Sequence, residues 1–201
     1  MAGRVTVTPD PFTLIEYDAA EIARITEDAA ALIGFPPDVE ILVEVDEVLF
    51  APLSGTMSDV VDGRALLWVS GGNFEDTRRP RHFEASQARA DITHMLLRAQ
   101  DRLSDDFADA PPDRELARGE RIAWDMYAIG RCERLGIPVR RQRELYDFRL
   151  QHGFTDVADA AFERCWNAPS MTYAGIREIS KETGASDRKT SKVPVDILRQ
   201  K

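Results

Sequence analysis

The sequence predicts an α+β protein, with a small, mainly antiparallel sheet near the N-terminus followed by a predominantly helical C-terminal two-thirds. Three observations predict this arrangement. Apolar and mostly acidic residues alternate along residues 39–45, a pattern typical of a half-buried strand. Asp62-Gly63 precedes the apolar run 65–69, which indicates a hairpin. From Phe83 onward, apolar residues recur at helical spacing.

The N-terminal third begins with a helix and continues into the sheet. Asp18 is expected to cap a helix whose apolar positions run from Ile22 to Leu32, and Gly34 is expected to end it. The strand at 39–45 follows, and residues 48–50 are expected to continue the sheet. Glycines after residue 70 stop the strand of the hairpin.

Four helices are predicted in the C-terminal two-thirds. Asp113 is expected to cap the second of them, and Gly136 to end it. Gly130, in the middle of that helix, is small enough to let another helix approach closely. Gly153 separates the last two helices, and Asp156 lies in the first turn of the later one. The predicted helices occupy residues 84–104, 113–135, 139–152 and 155–167.

The composition favours a folded protein of the cytoplasm. The chain of 201 residues is long enough to bury a core, and its 43% hydrophobic and 30% charged residues are ordinary for a globular domain. No apolar run reaches the roughly 20 residues that cross a bilayer. Its two cysteines, Cys132 and Cys165, are expected to be small core residues in a reducing compartment.

Charge is unevenly distributed along the chain. The net charge is −9, but residues 1–75 carry −11, residues 76–183 carry −1 and residues 184–201 carry +3. All four lysines lie within the last 21 residues. An acidic body repels nucleic acid, so only the C-terminal end is expected to meet a phosphate backbone.

The basic end has the pattern of a short helix, a glycine turn and a second short helix over residues 176–193. Ser180 is a small residue at the point where two such helices would cross, and Gly184 tolerates the positive φ of the turn. Ser186 is expected to cap the second helix. The apolar positions expected to face the core are Ile176, Ile179, Ala185 and Val193.

This segment of 18 residues resembles the helix-turn-helix of lac-repressor-type regulators. The resemblance implies duplex DNA as a partner, with the second helix in the major groove. Arg188 would then contact a guanine edge, while the lysines neutralise phosphates. The alternative is an amphipathic surface helix over 172–183, capped by Gly184 and followed by a polar tail. The DNA-binding residues that the resemblance implies are Ser186, Arg188, Lys189, Ser191 and Lys192.

The predicted domain organisation follows from these segments. Residues 1–168 form one α+β domain, with a sheet-containing part at 1–80 and a helical part at 81–168. Residues 169–193 form a possible helix-turn-helix appendage, and 194–201 a flexible tail.

A second motif lies in the helix that follows the sheet. Ala90-Asp91-Ile92-Thr93-His94 is similar to a degraded form of the His-Glu-x-x-His signature of zincin metallopeptidases. Ala90 replaces the first zinc ligand and Asp91 the catalytic glutamate, so the resemblance implies an inactive, metal-free protein. The alternative is an ordinary solvated helix face formed by Gln87, Asp91, His94, Arg98 and Asp101.

Aromatic and basic residues recur at helical spacing in two later helices. If the two faces met, they would form a pocket with aromatic walls for a small anionic ligand. The alternative is that the aromatic rings, including Trp124, pack between helices while the arginines extend outward. The predicted ligand-binding residues are Tyr127, Arg131, Tyr146, Arg149 and His152.

No complete catalytic constellation, cofactor motif or metal site can be written from these residues. The sequence therefore favours a non-enzymatic binding protein, with DNA binding through residues 176–193 as its most specific form. The alternative is a catalytically degraded zincin-like or small-anion-binding protein.

Overall fold

A computed structural model describes residues 4–49, 55–76 and 78–185 of the chain. A sheet near the N-terminus is followed by helices, as the sequence predicts. Among the described residues, none of the helices combines the length and apolar character needed to cross a bilayer. In chain order the elements are strand β1 (Val5–Thr8), helix α1 (Ala19–Ile33), strands β2 (Ile41–Asp46), β3 (Thr56–Val61), β4 (Arg64–Ser70), β5 (Glu75–Asp76) and β6 (Arg79–Phe83), and helices α2 (Ala85–Arg102), α3 (Arg118–Arg134), α4 (Arg141–His152), α5 (Asp156–Asn167) and α6 (Tyr173–Glu182).

The main sheet has four strands in the order β1-β2-β4-β3 and is mixed rather than mainly antiparallel. β2 pairs in parallel with both β1 and β4, and only β3 is antiparallel to its neighbour. The prediction was wrong because β1, with four residues, gives too short a pattern to recognise. Since α1 connects β1 to β2, the two strands run in the same direction. β5 and β6 form a separate antiparallel pair.

The Asp62-Gly63 hairpin is confirmed. The φ angles of Asp62 and Gly63 are 51° and 75°, the positive values that a tight two-residue turn requires. The expected continuation of the sheet at 48–50 is wrong for residues 48 and 49, and Phe50 lies outside the described residues. Asp46 Oδ1 accepts a hydrogen bond from the Val48 N–H at 2.9 Å, and this turn ends β2.

Helix α1 begins and ends where the sequence predicts, with Asp18 as its N-terminal cap and Gly34 at its end. Asp18 accepts a hydrogen bond from the Ala20 N–H at 2.8 Å, and Gly34 ends the helix with a φ of 64°. Its apolar face packs with α2 against one face of the sheet to form the first core. Fully or almost fully buried members of this core include Ile22, Val43, Leu67, Ile92 and Leu96.

Helix α3 begins at Arg118, later than the predicted cap at Asp113. Asp113 lies in a short 3-10 turn (Asp113–Glu115) with its side chain completely buried, where it pairs with arginines instead of capping α3. The close approach predicted at Gly130 is confirmed. A Cβ at this position would lie 2.2 Å from the carbonyl oxygen of Trp166 in α5.

A second core lies among α3, α4, α5 and α6. Trp124, Phe148, Phe162 and Trp166 are its largest buried side chains, and Ile176 of α6 is fully buried among them. Helix α6, predicted to belong to a separate appendage, is therefore part of the helical half of the molecule. Cys132 and Cys165 are free and buried, in agreement with their predicted packing role.

Candidate functional site

Charged side chains are buried together between α2, α3 and the strand β3. We call this group the α2–α3 ion cluster; its members are Asp59, His94, Arg98, Arg102, Asp113, Arg121 and Asp125. These residues come from α2, α3, β3 and the 3-10 turn before α3. The cluster therefore joins the sheet-containing half of the molecule to the helical half.

Arg98 is at the centre of the cluster, and only 1% of its surface is exposed. Its Nη1 donates to Asp125 Oδ1 at 2.9 Å, and its Nη2 donates to Asp113 Oδ1. The guanidinium also lies 4.6 Å from the ring centre of Trp124. Burial alone would lower the pKa of Arg98, but the two carboxylates more than offset this and raise it. Arg98 is therefore a permanently charged group whose charge is neutralised inside the protein.

Two further arginines of the cluster cover the outer edge of β3. The alternation of the β3–β4 ladder leaves the carbonyls of Thr56 and Ser58 pointing away from β4. Arg121 Nη2 donates to Thr56 O, and Arg102 Nε donates to Ser58 O at 2.9 Å. An edge strand whose carbonyls are occupied in this way is protected from pairing with another chain at those positions.

The carboxylate of Asp125 determines that His94 carries a proton on Nε2. Its Nε2 lies 3.1 Å from Asp125 Oδ1, the same oxygen that accepts from Arg98. Burial would raise the pKa of Asp125, but Arg98, His94 and Arg121 hold it well below its usual range. An ionised carboxylate can only accept hydrogen bonds, so Nε2 carries the proton and donates it. This nitrogen is therefore not free to bind a metal ion.

Two carboxyl groups with raised pKa values lie near His94. Asp91 accepts hydrogen bonds from Asn73 at 3.2 Å and Gln87 at 3.3 Å, and burial raises its pKa. On α4, burial and the neighbouring carboxylate of Asp147 raise the pKa of Glu144 to about 7. A positive charge on His94 would oppose the rise of both pKa values.

The zincin-like motif does not assemble a metal site. Ala90, at the position of the first histidine, packs against the buried apolar side chains of Leu97, Cys132 and Ile137. Asp91 and His94 have the partners described above. Within the described residues, no group of three His, Cys, Asp or Glu side chains is placed to hold a metal ion.

The interpretation of this helix face as an ordinary solvated face is wrong. His94, Arg98 and Asp101 are 8%, 1% and 7% exposed. His94, Arg98 and Asp101 share one polar face of α2 with Gln87 and Asp91, a pattern that does not distinguish a solvated helix face from a buried polar one. The partners of these residues could not be predicted, because Asp113 and Asp125 lie in segments that contact α2 only through the tertiary fold.

Two of the residues predicted to bind an anion lie on α3. Arg131 donates to both oxygens of Asp101 at 2.5 and 2.8 Å, and its guanidinium lies 4.0 Å from the ring centre of Tyr127. The charge of Arg131 is thus already neutralised by a carboxylate of α2. On α4, Arg149 similarly donates to both oxygens of Asp159 at 2.7 and 2.5 Å.

The remaining two residues have different surroundings. Tyr146 is 54% exposed and its ring contacts Phe154 at 5.8 Å. His152 is buried, and burial lowers its pKa to about 4, so the ring is neutral at pH 7. Its Nε2 lies 3.1 Å from Gly119 O and its Nδ1 2.7 Å from Thr183 Oγ1. The structure therefore does not bring the five predicted residues together in one anion pocket.

The helix-turn-helix segment is described only in its first half. Gly184 has the predicted positive φ, 64°, and Ser180 is buried where α6 crosses α3. A Cβ on Gly119 of α3 would lie 2.5 Å from Ser180 Oγ, so the glycine lets α6 approach α3 closely here. The predicted crossing of Ser180 by the second helix of the motif lies outside the described residues. The tail 194–201 and the proposed DNA contacts lie outside the described residues. Those contacts are Ser186, Arg188, Lys189, Ser191 and Lys192, and they stay predictions.

Comparison of the chain with protein-family models, with curated proteins and with solved structures finds no match. The function therefore has to be inferred from the residues and their geometry.

Proposed function

We propose that this chain is a non-enzymatic binding protein. The α2–α3 ion cluster carries this proposal, because its histidine and its carboxylates are bonded to one another and to arginines. The His94 and Asp125 side chains are only 11% and 12% exposed, and Arg98 holds the same Asp125 oxygen that His94 contacts. A catalytic acid or base must reach the proton of a substrate. These groups could do so only if the cluster were broken.

We infer further that duplex DNA is the partner and that the chain after Ala185 contacts it. The described part of the motif, helix α6, supports this inference because it is anchored to the rest of the protein. Ile176 and Ile179 are buried, and Thr183 Oγ1 lies 2.7 Å from His152 Nδ1. Helix α6 is thus packed against α3 and tied to α4, and the basic segment that begins just after Gly184 follows an anchored helix.

The distribution of charge supports the same assignment. Residues 1–183 carry a net charge of −12, while residues 184–201 carry five basic and two acidic residues. Arginines of the body such as Arg98, Arg131 and Arg149 are already paired with carboxylates. Contact with a polyanion is therefore favoured at the C-terminal segment and opposed over the body.

The salt dependence of DNA binding tests this proposal. Fluorescence anisotropy with a labelled duplex should show binding that falls about 40-fold between 50 and 200 mM salt, the value for roughly three phosphate contacts. Replacing Arg188, Lys189 and Lys192 together by alanine should remove most of the binding and flatten the salt slope.

A matched variant controls for net charge. Alanine at Arg64, Arg78 and Arg140, three exposed positions of the body, also removes three positive charges and should leave binding nearly unchanged. The DNA proposal is wrong if the full chain does not bind, or if both triple variants weaken binding equally.

A second candidate, a zincin-like protein without its metal site, is favoured by the placement of Ala90, Asp91 and His94. These residues occupy the motif positions on the helix that follows the sheet. The guanidinium of Arg98 shares Asp125 Oδ1 with His94, so a fixed positive charge lies beside the one remaining histidine. A divalent cation is disfavoured there by repulsion as well as by the missing ligands.

Elemental analysis tests the second candidate. The protein purified without chelator should contain far less than one zinc per chain, and added zinc should leave its thermal midpoint unchanged. Stoichiometric zinc that is lost in the His94→Ala variant would overturn this expectation, whereas zinc retained in that variant would place the metal elsewhere and reject the zincin interpretation of α2.

A further inference from the structure

A cavity of about 400 Å³ opens where the start of α3 meets α6. Among the described residues that line it, three carry carboxylates, Asp109, Glu115 and Glu120, and one carries a guanidinium, Arg177. We call this feature the α3–α6 acidic cavity. A concave site in which carboxylates outnumber cations favours a positively charged occupant.

Two of the three carboxylates are available to such an occupant. Glu120 accepts a hydrogen bond from the Tyr173 hydroxyl at 2.8 Å and is already occupied. Glu115 lies 3.7 Å from Arg114, but both side chains are about half exposed, and an exposed pair of this kind is weak. Asp109 is exposed, and its carboxylate has no hydrogen-bond or ion-pair partner among the described residues. Asp109 and Glu115 are therefore expected to attract the occupant.

The last described residue, Ala185, lies beside the cavity. A Cβ on Gly119 of α3 would lie 2.5 Å from the Cβ of Ala185, and Gly119 is followed by Glu120 of the cavity wall. The basic segment, residues 186–192, therefore begins next to the turn of α3 that lines the cavity. An extended chain covers about 3.3–3.6 Å per residue, so Arg188 and Lys189 can reach ~10–14 Å from Ala185.

We propose that the α3–α6 acidic cavity binds the basic segment of this same chain, residues 186–192, when no DNA is bound. The segment contains Arg188, Lys189 and Lys192 and a single acidic residue, so its charge is complementary to that of the cavity. Because the contact is intramolecular, the effective concentration of the segment is roughly millimolar, and weak ion pairs are enough to maintain the contact.

The regulatory consequence rests on the DNA-binding function proposed above. The same three cations would contact DNA phosphates, so a duplex and the cavity compete for them. Binding of the segment in the cavity lowers the apparent affinity for DNA in proportion to the fraction of chains in which the segment is free. The cavity is thus an intramolecular competitor of DNA.

Zero-length crosslinking of the full chain locates the segment in the absence of DNA. A carbodiimide joins a lysine amine to a carboxylate in direct contact, and all four lysines lie within the last 21 residues. At about 50 mM salt, mass spectrometry should show the lysines of residues 186–192 joined to Asp109 or Glu115. The yield should fall severalfold at about 500 mM salt, where exposed charges are screened. The absence of these products, or products spread over carboxylates of other faces, would overturn the proposal.

Neutral variants of the cavity test the competition with DNA. Asp109→Asn combined with Glu115→Gln should tighten binding of the labelled duplex about fivefold at low salt, because the segment is released. The matched control, Glu27→Gln with Asp38→Asn, neutralises two exposed carboxylates of the sheet-containing half and should tighten binding less than about twofold. Equal tightening in the two double variants would reject the competition. Absence of DNA binding in every form would refute the DNA-binding function, whereas the crosslinks alone decide whether the cavity holds the segment.

Discussion

At the scale of single residues, Arg98 explains why α2 carries polar side chains into the interior. Its Nη1 and Nη2 bond two carboxylates and its guanidinium lies over Trp124, while its buried Nε has no hydrogen-bond partner within the described residues. Asp113 is completely buried and pairs with Arg98, Arg102 and Arg121. Removing one member of such a cluster leaves its partners charged and buried.

We expect Arg98→Met to reduce the free energy of unfolding by about 3–5 kcal/mol, the usual effect of leaving a buried charge without its partner. The exposed pair Arg24–Asp28 provides the control, since its side chains are 63% and 59% exposed. Arg24→Met should change the free energy of unfolding by less than about 1 kcal/mol. Urea unfolding measures both variants. Similar small losses in the two variants would show that the cluster contributes little to stability.

The residues of this cluster show what sequence reasoning could and could not reach. The burial of His94 and Arg98 could not be inferred from the sequence, because both lie on the polar face of α2. Their partners could not be inferred either, because Asp113 and Asp125 are separated from α2 by turns whose path the local pattern does not determine. Asp113 also looks like a helix cap, and burial inside the cluster overrides that local preference.

At the scale of elements, local sequence patterns predict the helices. The pairing of strands that are distant in the sequence is harder to predict. α1 was predicted correctly because Asp18 and Gly34 mark its ends with local hydrogen bonding and backbone geometry. The four-residue β1 was missed, and its parallel partner is set by the crossover through α1. Gly130 predicts the close approach of another helix, since a glycine within a helix usually needs a packing reason, but the sequence does not indicate that this helix is α5.

We expect Gly130→Ala to destabilise the protein by about 1–3 kcal/mol, although alanine is the better helix former. Its Cβ would lie 2.2 Å from Trp166 O, and backbone atoms of α5 cannot move aside without separating the two helices. Gly175→Ala in α6 is the control, because the nearest atom to its Cβ would be 3.6 Å away. That variant should be neutral or slightly stabilising. Thermal unfolding would contradict this account if both variants were stabilised.

At the scale of the whole molecule, the buried ion cluster and the uneven charge assign different roles to the body of the protein and to its C-terminal segment. The body is an acidic scaffold whose buried arginines and carboxylates hold its two halves together. The basic segment after Ala185 follows a helix that is anchored in the second core. Binding and stability are therefore expected to depend on different parts of the chain.

Comparing the full chain with a chain truncated after Ala185 tests this central claim most directly. Both should be measured for thermal unfolding and for binding to the same labelled duplex at low salt. We predict that the truncated chain keeps its unfolding midpoint to within a few degrees and loses DNA binding. Undiminished DNA binding by the truncated chain, with its folding intact, would contradict the account.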